Sequence, residues 1–110
     1  VLDETIVAHL FKLASPEKSQ EMLDFYISST KGKIVPIMLA LEKEDYEEIQ
    51  RIAHMLKSSS ANFGATLMSK TFKEIEDSIK NNKKEAVATI CHQVEPIFSS
   101  TLEALKEFSS

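Results

Sequence analysis

Apolar residues recur along this chain at the spacing of an α-helix, and this periodicity limits the fold more than any other feature of the sequence. The clearest case is a stripe of apolar and small residues formed by Ile49, Ile52, Ala53, Leu56, Ser60 and Phe63. The chain also has only two glycines, three prolines and few alternating β-branched runs. The sequence therefore predicts an all-α protein.

The same periodicity, together with turn and capping residues, divides the chain into five predicted helices. They run from about Asp3 to Ala14, from Pro16 to about Lys43, from Asp45 to Asn62, from Ala65 to about Lys80 and from Lys84 to Phe108. Pro36 and Pro96 are expected to kink the second and fifth helices. Short connections favour antiparallel neighbours, so we expect an antiparallel, up-down four-helix bundle with an additional N-terminal helix.

Two local details of this prediction can be compared with the structure. In the first helix, the spacing predicts that Ile6, Leu10 and Leu13 face the core, with Val7 and Phe11 on another side. At the start of the third helix, Asp45 and Glu48 have the spacing of a capping box, in which each side chain bonds to the backbone N–H of the other residue.

Length and composition indicate one domain, residues 1–110, of an ordinary globular type. No apolar run reaches the length of a membrane span and no signal peptide is recognisable, so we expect a cytoplasmic location. The net charge of −4 argues against nucleic acid as a partner. The chain begins at Val1 rather than at methionine, which leads us to expect a segment of a larger protein.

Cysteine usage and the lack of a phosphate-binding loop exclude further classes of function. Cys91 is the only cysteine, so no disulfide within the chain is possible, and its helical phase predicts a buried, unreactive side chain. No glycine-rich phosphate loop is present, which argues against a nucleotide site and against kinase activity.

His54 is the strongest candidate for a functional residue. It falls opposite the buried stripe of the third helix and should face solvent. Ser58 and Ala61 lie on the same side and keep the surface low, and Lys57 is one turn away within side-chain reach. A helix surface with only a structural role would normally carry long charged side chains. This arrangement indicates that a partner approaches the imidazole closely.

Three alternative functions can be set against a partner-binding histidine: an adaptor, a metal site and a hydrolase. His54 could be an ordinary surface histidine in a non-catalytic helical adaptor or dimerisation module. His9, His54, His92 and Cys91 could hold a metal, but no two of the histidines are spaced i, i+4, which makes that set weak. A hydrolase is weaker still, because neither a Ser/His/Asp set nor paired carboxylates around a pocket can be recognised.

The segment around His54 also resembles a known family signature. His54-Met55-Leu56-Lys57, followed by small residues and Ala61-Asn62-Phe63-Gly64-Ala65, is similar to the motif of histidine-containing phosphotransfer (HPt) domains. The resemblance continues through Met68, Phe72, Ile75 and Glu76, and in weaker form it extends from about Leu2 to Phe108. One residue departs from the pattern: Ser58 stands where the family usually has glycine.

The resemblance implies a phosphorelay role. His54 would accept a phosphoryl group from the phospho-aspartate of a receiver domain and pass it to the receiver domain of a response regulator, in its own hybrid sensor kinase or elsewhere. Lys57 would offset the phosphoryl charge and Glu76 would orient the imidazole. The chain would need no cofactor of its own, because the receiver supplies the Mg²⁺. Such a domain is a phosphocarrier rather than an enzyme.

The resemblance also implies an apolar docking surface for the receiver around the histidine. The candidate residues for this surface are Met55, Ser58, Ala61, Val7 and Phe11. For Val7 and Phe11, packing in the core is the alternative.

Overall fold

The computed structural model describes residues 2–13 and 16–109, without the side chains at positions 10, 11, 13, 16, 108 and 109. These ranges form five helices, which are α1 (Glu4–Leu13), α2 (Pro16–Glu42), α3 (Tyr46–Asn62), α4 (Thr66–Lys80) and α5 (Lys84–Ser109). Helix α3 packs against α2 and α4, and α5 closes the bundle against the same two helices. Helix α1 lies more loosely against α2 and α5. The predicted bundle with an additional N-terminal helix is confirmed.

The core of the bundle takes one apolar face from each helix. Its largest fully buried side chains are Phe72, Ile37, Ile49, Ile52, Met68, Ile75 and Leu105. Burial of a side chain of this size contributes about 1.5–3 kcal/mol to folding. The buried stripe predicted for α3 is confirmed at every position, including the small residues Ala53 and Ser60.

The two prolines lie inside continuous helices. Helix α2 runs unbroken through Pro36 and α5 runs unbroken through Pro96. Each proline leaves the carbonyl four residues earlier without its helical donor. At α2 this carbonyl belongs to Gly32, an exposed residue that water can reach. The second helix is thus continuous, as predicted, and the kinks expected at Pro36 and Pro96 stay predictions.

The capping box predicted at the start of α3 forms only in part. Asp45 does cap the helix, because its Oδ1 accepts a hydrogen bond from the backbone N–H of Glu48 at 3.2 Å. The reciprocal bond is absent, since the Glu48 carboxylate pairs with the guanidinium of Arg51, whose Nε lies 3.0 Å away. The N–H of Asp45 donates instead to the carbonyl of Ala40 at 2.9 Å.

The predicted phase of α1 is wrong, and the turn between α3 and α4 explains why. Val7 is fully buried, whereas Ile6 is 38% exposed. The backbone N–H of Asp3 donates to the carbonyl of Gly64 at 2.6 Å, which fixes α1 against this turn. Val7 Cγ2 lies 2.7 Å from the point that a Cβ at Gly64 would occupy. Val7 therefore fills the space beside a residue without a side chain. The predictions for the side chains of Leu10 and Leu13 fall outside the described residues.

Two expectations about single features can also be compared with the structure. Cys91 is buried, as predicted, and this burial raises the pKa of its thiol to about 11, so the reactive thiolate is scarce at neutral pH. Within residues 2–13 and 16–109, none of the helices combines the length and the apolar character that a membrane crossing needs.

Candidate functional site

The position of α3 in the bundle is fixed by contacts with α2. The hydroxyl of Tyr26 and Oγ of Ser60 share a buried hydrogen bond of 2.8 Å. The Tyr26 ring stacks on Phe63, with 4.9 Å between ring centroids. These contacts hold the buried face of α3 inward. His54 directly follows the buried residue Ala53, and 67% of its side chain is exposed.

Helix α4 brings a buried carboxylate to the imidazole. Oε2 of Glu76 lies 3.4 Å from Nδ1 of His54, which is long for a hydrogen bond. The other carboxylate oxygen, Oε1, lies 2.9 Å from Nζ of Lys57. Only 7% of the Glu76 side chain is exposed. The structure thus brings together the three residues that the sequence and the resemblance had assigned to the site.

A further hydrogen bond fixes α4 against α3 beside these residues. The hydroxyl of Ser69 donates to the backbone carbonyl of Lys57 at 3.1 Å. Ser69 and Glu76 are seven residues apart, so they lie on the same face of α4. The bond therefore fixes the position of α4 along α3 and, with it, the position of Glu76 opposite His54.

The contact with Glu76 determines which ring nitrogen is available for chemistry. An ionised carboxylate can only accept hydrogen bonds, so this contact favours the tautomer of His54 with its proton on Nδ1. In the neutral ring, the lone pair then lies on Nε2, the nitrogen turned away from Glu76. The arrangement presents a nucleophilic nitrogen on an exposed ring, with a buried carboxylate behind it.

Glu76 is ionised in this environment. Burial acts to raise the pKa of its carboxyl, but the hydrogen bonds and charges of Lys57 and His54 outweigh burial and hold the pKa below its ordinary value. The carboxylate is therefore charged at neutral pH.

The surface around His54 is low and partly apolar. Met55 is 43% exposed, and Ser58 and Ala61 are exposed on the same side of α3, as predicted. Val7 cannot belong to this surface, because its side chain is fully buried against the α3–α4 turn. The side chain of Phe11 lies outside the described residues.

The sequence interpretation missed two grooves that flank the histidine helix. One is lined by Glu47, Gln50, Arg51, His54, Met55 and Glu76. Arg51 lies three residues before His54 on the same helix, a spacing that could have indicated it. The other is an apolar groove between α2 and α3, lined by Glu21, Met22, Phe25, Tyr26, Ser29, Ser59, Asn62 and Phe63. Phe25 lies two positions after the buried Leu23, roughly 200° around α2, which accounts for its exposure.

The alternative of a metal site finds no support in the part of the chain that the structure describes. No group of three or more His, Cys, Asp or Glu side chains there is arranged to hold a metal ion. His9 and His92 are both exposed, whereas Cys91 is buried.

Comparisons with known proteins agree with this geometry. The chain has the fold of histidine-containing phosphotransfer protein B (HptB) from Pseudomonas aeruginosa PAO1, whose crystal structure aligns with a TM-score of 0.89 at 23% identity, over 98% of this chain and 93% of that one. No curated protein matches the sequence. A family model described as the Hpt domain matches residues 21–108. The chain therefore belongs to the Hpt domain family, whose members carry phosphoryl groups on histidine in phosphorelays.

Proposed function

We propose that His54 is the phosphoacceptor of this domain, taking a phosphoryl group from the aspartyl phosphate of one receiver domain and passing it to the aspartate of another. The observation that supports this most strongly is an exposed imidazole whose Nδ1 lies 3.4 Å from a buried carboxylate. A histidine with only a surface role needs no such partner.

The transfer step can be written with its atoms balanced. The lone pair on Nε2 attacks phosphorus, and the bond between phosphorus and the aspartyl oxygen breaks, which releases the receiver's carboxylate. The ring keeps its Nδ1 proton and becomes a phosphorylated imidazolium. The positive charge that develops on the ring is offset by the Glu76 carboxylate, a preorganised electrostatic contribution. The return step to a second receiver is the reverse of this reaction.

Lys57 is proposed to meet the phosphoryl group. Its ammonium is held 2.9 Å from Glu76 Oε1 in the unphosphorylated protein. A phosphoryl group on Nε2 brings negative charge to the exposed side of the ring. Because a charge-assisted hydrogen bond to phosphate is strong, we expect Lys57 to shift part of its bonding from Glu76 to the phosphoryl oxygens.

The receiver is proposed to dock on the exposed strip of Met55, Ser58 and Ala61. A partly apolar patch with a polar rim suits a transient complex. The receiver is expected to bring its own Mg²⁺ and most of the catalytic groups. We propose the cytoplasm as the location of this reaction.

The experiment is a phosphoryl-transfer assay with a purified receiver domain phosphorylated on its aspartate. We expect the protein to acquire a label that is labile in acid and stable in base, as a phosphohistidine is. His54→Gln should abolish the label without changing helicity measured by circular dichroism.

His92→Gln is the matched control, because His92 is exposed on α5 and has no assigned role. It should label as the wild type does. Label that persists in His54→Gln, or that is lost in His92→Gln, would overturn the assignment of His54.

A further inference from the structure

Helix α2 carries an uncharged, partly apolar stripe on the side that faces away from the core. Leu23, Thr30 and Ile37 repeat every seven residues and are buried in the bundle. Two positions after each of them come Phe25, Gly32 and Leu39, which are exposed. Two residues further along a helix turn the side chain by roughly 200°, so the two sets lie on opposite faces.

The exposed stripe has a composition that is unusual for a helix face in contact with solvent. Phe25 is 75% exposed, Val35 is 63% exposed and Leu39 is 49% exposed. The positions between them hold the small residues Ser28 and Gly32. The spacing of 25, 28, 32, 35 and 39 alternates three and four residues, which is the spacing of helix-pairing seams.

Two pairs of residues on this face are placed symmetrically about Gly32. Phe25 lies seven residues before it and Leu39 lies seven residues after it, which places each roughly 10 Å along the helix. Glu21 and Lys43, both exposed, lie eleven residues before and after it and carry opposite charges, with Lys43 just past the end of α2. In an antiparallel pair of α2 helices with Gly32 on the two-fold axis, Phe25 of each copy meets Leu39 of the other, and Glu21 meets Lys43 at both ends.

We propose that this face of α2 binds a second copy of the chain in an antiparallel, two-fold symmetric pair. The absence of a side chain at Gly32 lets the two helices approach closely at the axis. The two copies of Lys31 lie near the two-fold axis, and the repulsion between their positive charges weakens the pairing. Since few side chains are buried per copy, the complex is a weak, reversible dimer rather than an obligate one.

The experiment is sedimentation equilibrium of the full chain from about 10 µM to about 1 mM, a range that covers the affinity of small interfaces. The average mass should rise from 12.4 kDa toward twice that value. A mass that stays at the monomer value throughout would overturn the proposal.

Two variants of the stripe separate pairing from folding. Leu39→Ser should weaken association at least tenfold. Gly32→Gln should weaken it as much while raising the Tm, because a Cβ at Gly32 would meet no atom within 4 Å apart from the neighbouring backbone of its own helix, and glutamine favours helix over glycine. Ile6→Ser is the matched control, since Ile6 is an exposed aliphatic residue on α1, and it should leave association unchanged.

A charge exchange tests the register of the pair. Glu21→Lys alone should weaken association, and adding Lys43→Glu to the same chain should restore it. Restoration supports the antiparallel register. If the double variant associates no better than Glu21→Lys, or if Gly32→Gln associates as the wild type does, the proposed pair is wrong. These measurements need no receiver domain, so their outcome is independent of the proposed phosphoryl transfer.

Discussion

Lys57 and Glu76 form an ion pair of 2.9 Å that joins α3 to α4 beside the exposed imidazole. The cation proposed to meet the phosphoryl group is therefore already engaged before that group arrives. The pair keeps the unphosphorylated site close to neutral, and it keeps the buried carboxylate ionised for its contact with His54. Phosphorylation should then redistribute the bonds of Lys57 rather than recruit a mobile side chain.

Glu76→Gln should slow phosphoryl transfer to His54 by about tenfold. The amide oxygen can still accept a bond from Nδ1, but it cannot offset the charge that develops on the ring, and a charge-assisted bond is worth roughly 1.4 kcal/mol more than a neutral one. Rapid-quench measurement of the transfer rate provides the test. A rate equal to that of the wild type would show that Glu76 has no electrostatic role.

Lys57→Ala should slow transfer roughly five- to tenfold without preventing it, because the partner receiver supplies most of the charge stabilisation. The matched control is Lys83→Ala, which removes an exposed lysine in the turn before α5. Both variants can be followed in the same transfer assay. Equal rates for Lys57→Ala and wild type would refute the role assigned to this lysine.

Ser58→Arg should block receiver docking, since a long charged side chain would stand on the low surface next to His54. Transfer should fall by more than about tenfold through a weaker complex, seen as a raised KM. Ser58→Gly, which restores the family pattern, should transfer as fast as the wild type or faster. Ser100→Arg, at an exposed position of α5, controls for added charge and should have no effect.

Gly64→Ala should destabilise the fold by about 1–3 kcal/mol. Gly64 has a φ of +79°, and a Cβ there would lie 2.7 Å from Val7 Cγ2. Gly32→Ala is the matched control, because its Cβ meets open space within a helix, and it should stabilise by up to about 1 kcal/mol. Urea unfolding measures both changes. Equal stability of the Gly64→Ala variant and the wild type would contradict the packing described for α1.

The sequence predicted the exposed residues of α3 well because the geometry within one helix is local. The exposure of His54, Met55, Ser58 and Ala61 follows from their angle to the buried stripe, and the structure has all four exposed. The approach of Glu76 to His54 depends on how far α4 is shifted along its axis relative to α3. Spacing within either helix does not determine this shift, so the expectation came only from the family resemblance.

The predictions that failed have separate physical reasons, one of them tertiary and one local. The phase of α1 was set by Gly64, a residue more than fifty positions away, where Val7 fills the space left by the missing side chain. The capping box was incomplete because Arg51 competes for the Glu48 carboxylate.

The most direct test of the central claim is to locate the phosphoryl group by NMR. The protein, labelled with ¹⁵N in its imidazole rings, would be phosphorylated by a receiver and examined for coupling between ³¹P and the ring nitrogens. We predict coupling to Nε2 of His54, with Nδ1 still protonated toward Glu76. Phosphorus bonded to Nδ1 of His54, or to His9 or His92, would contradict the account.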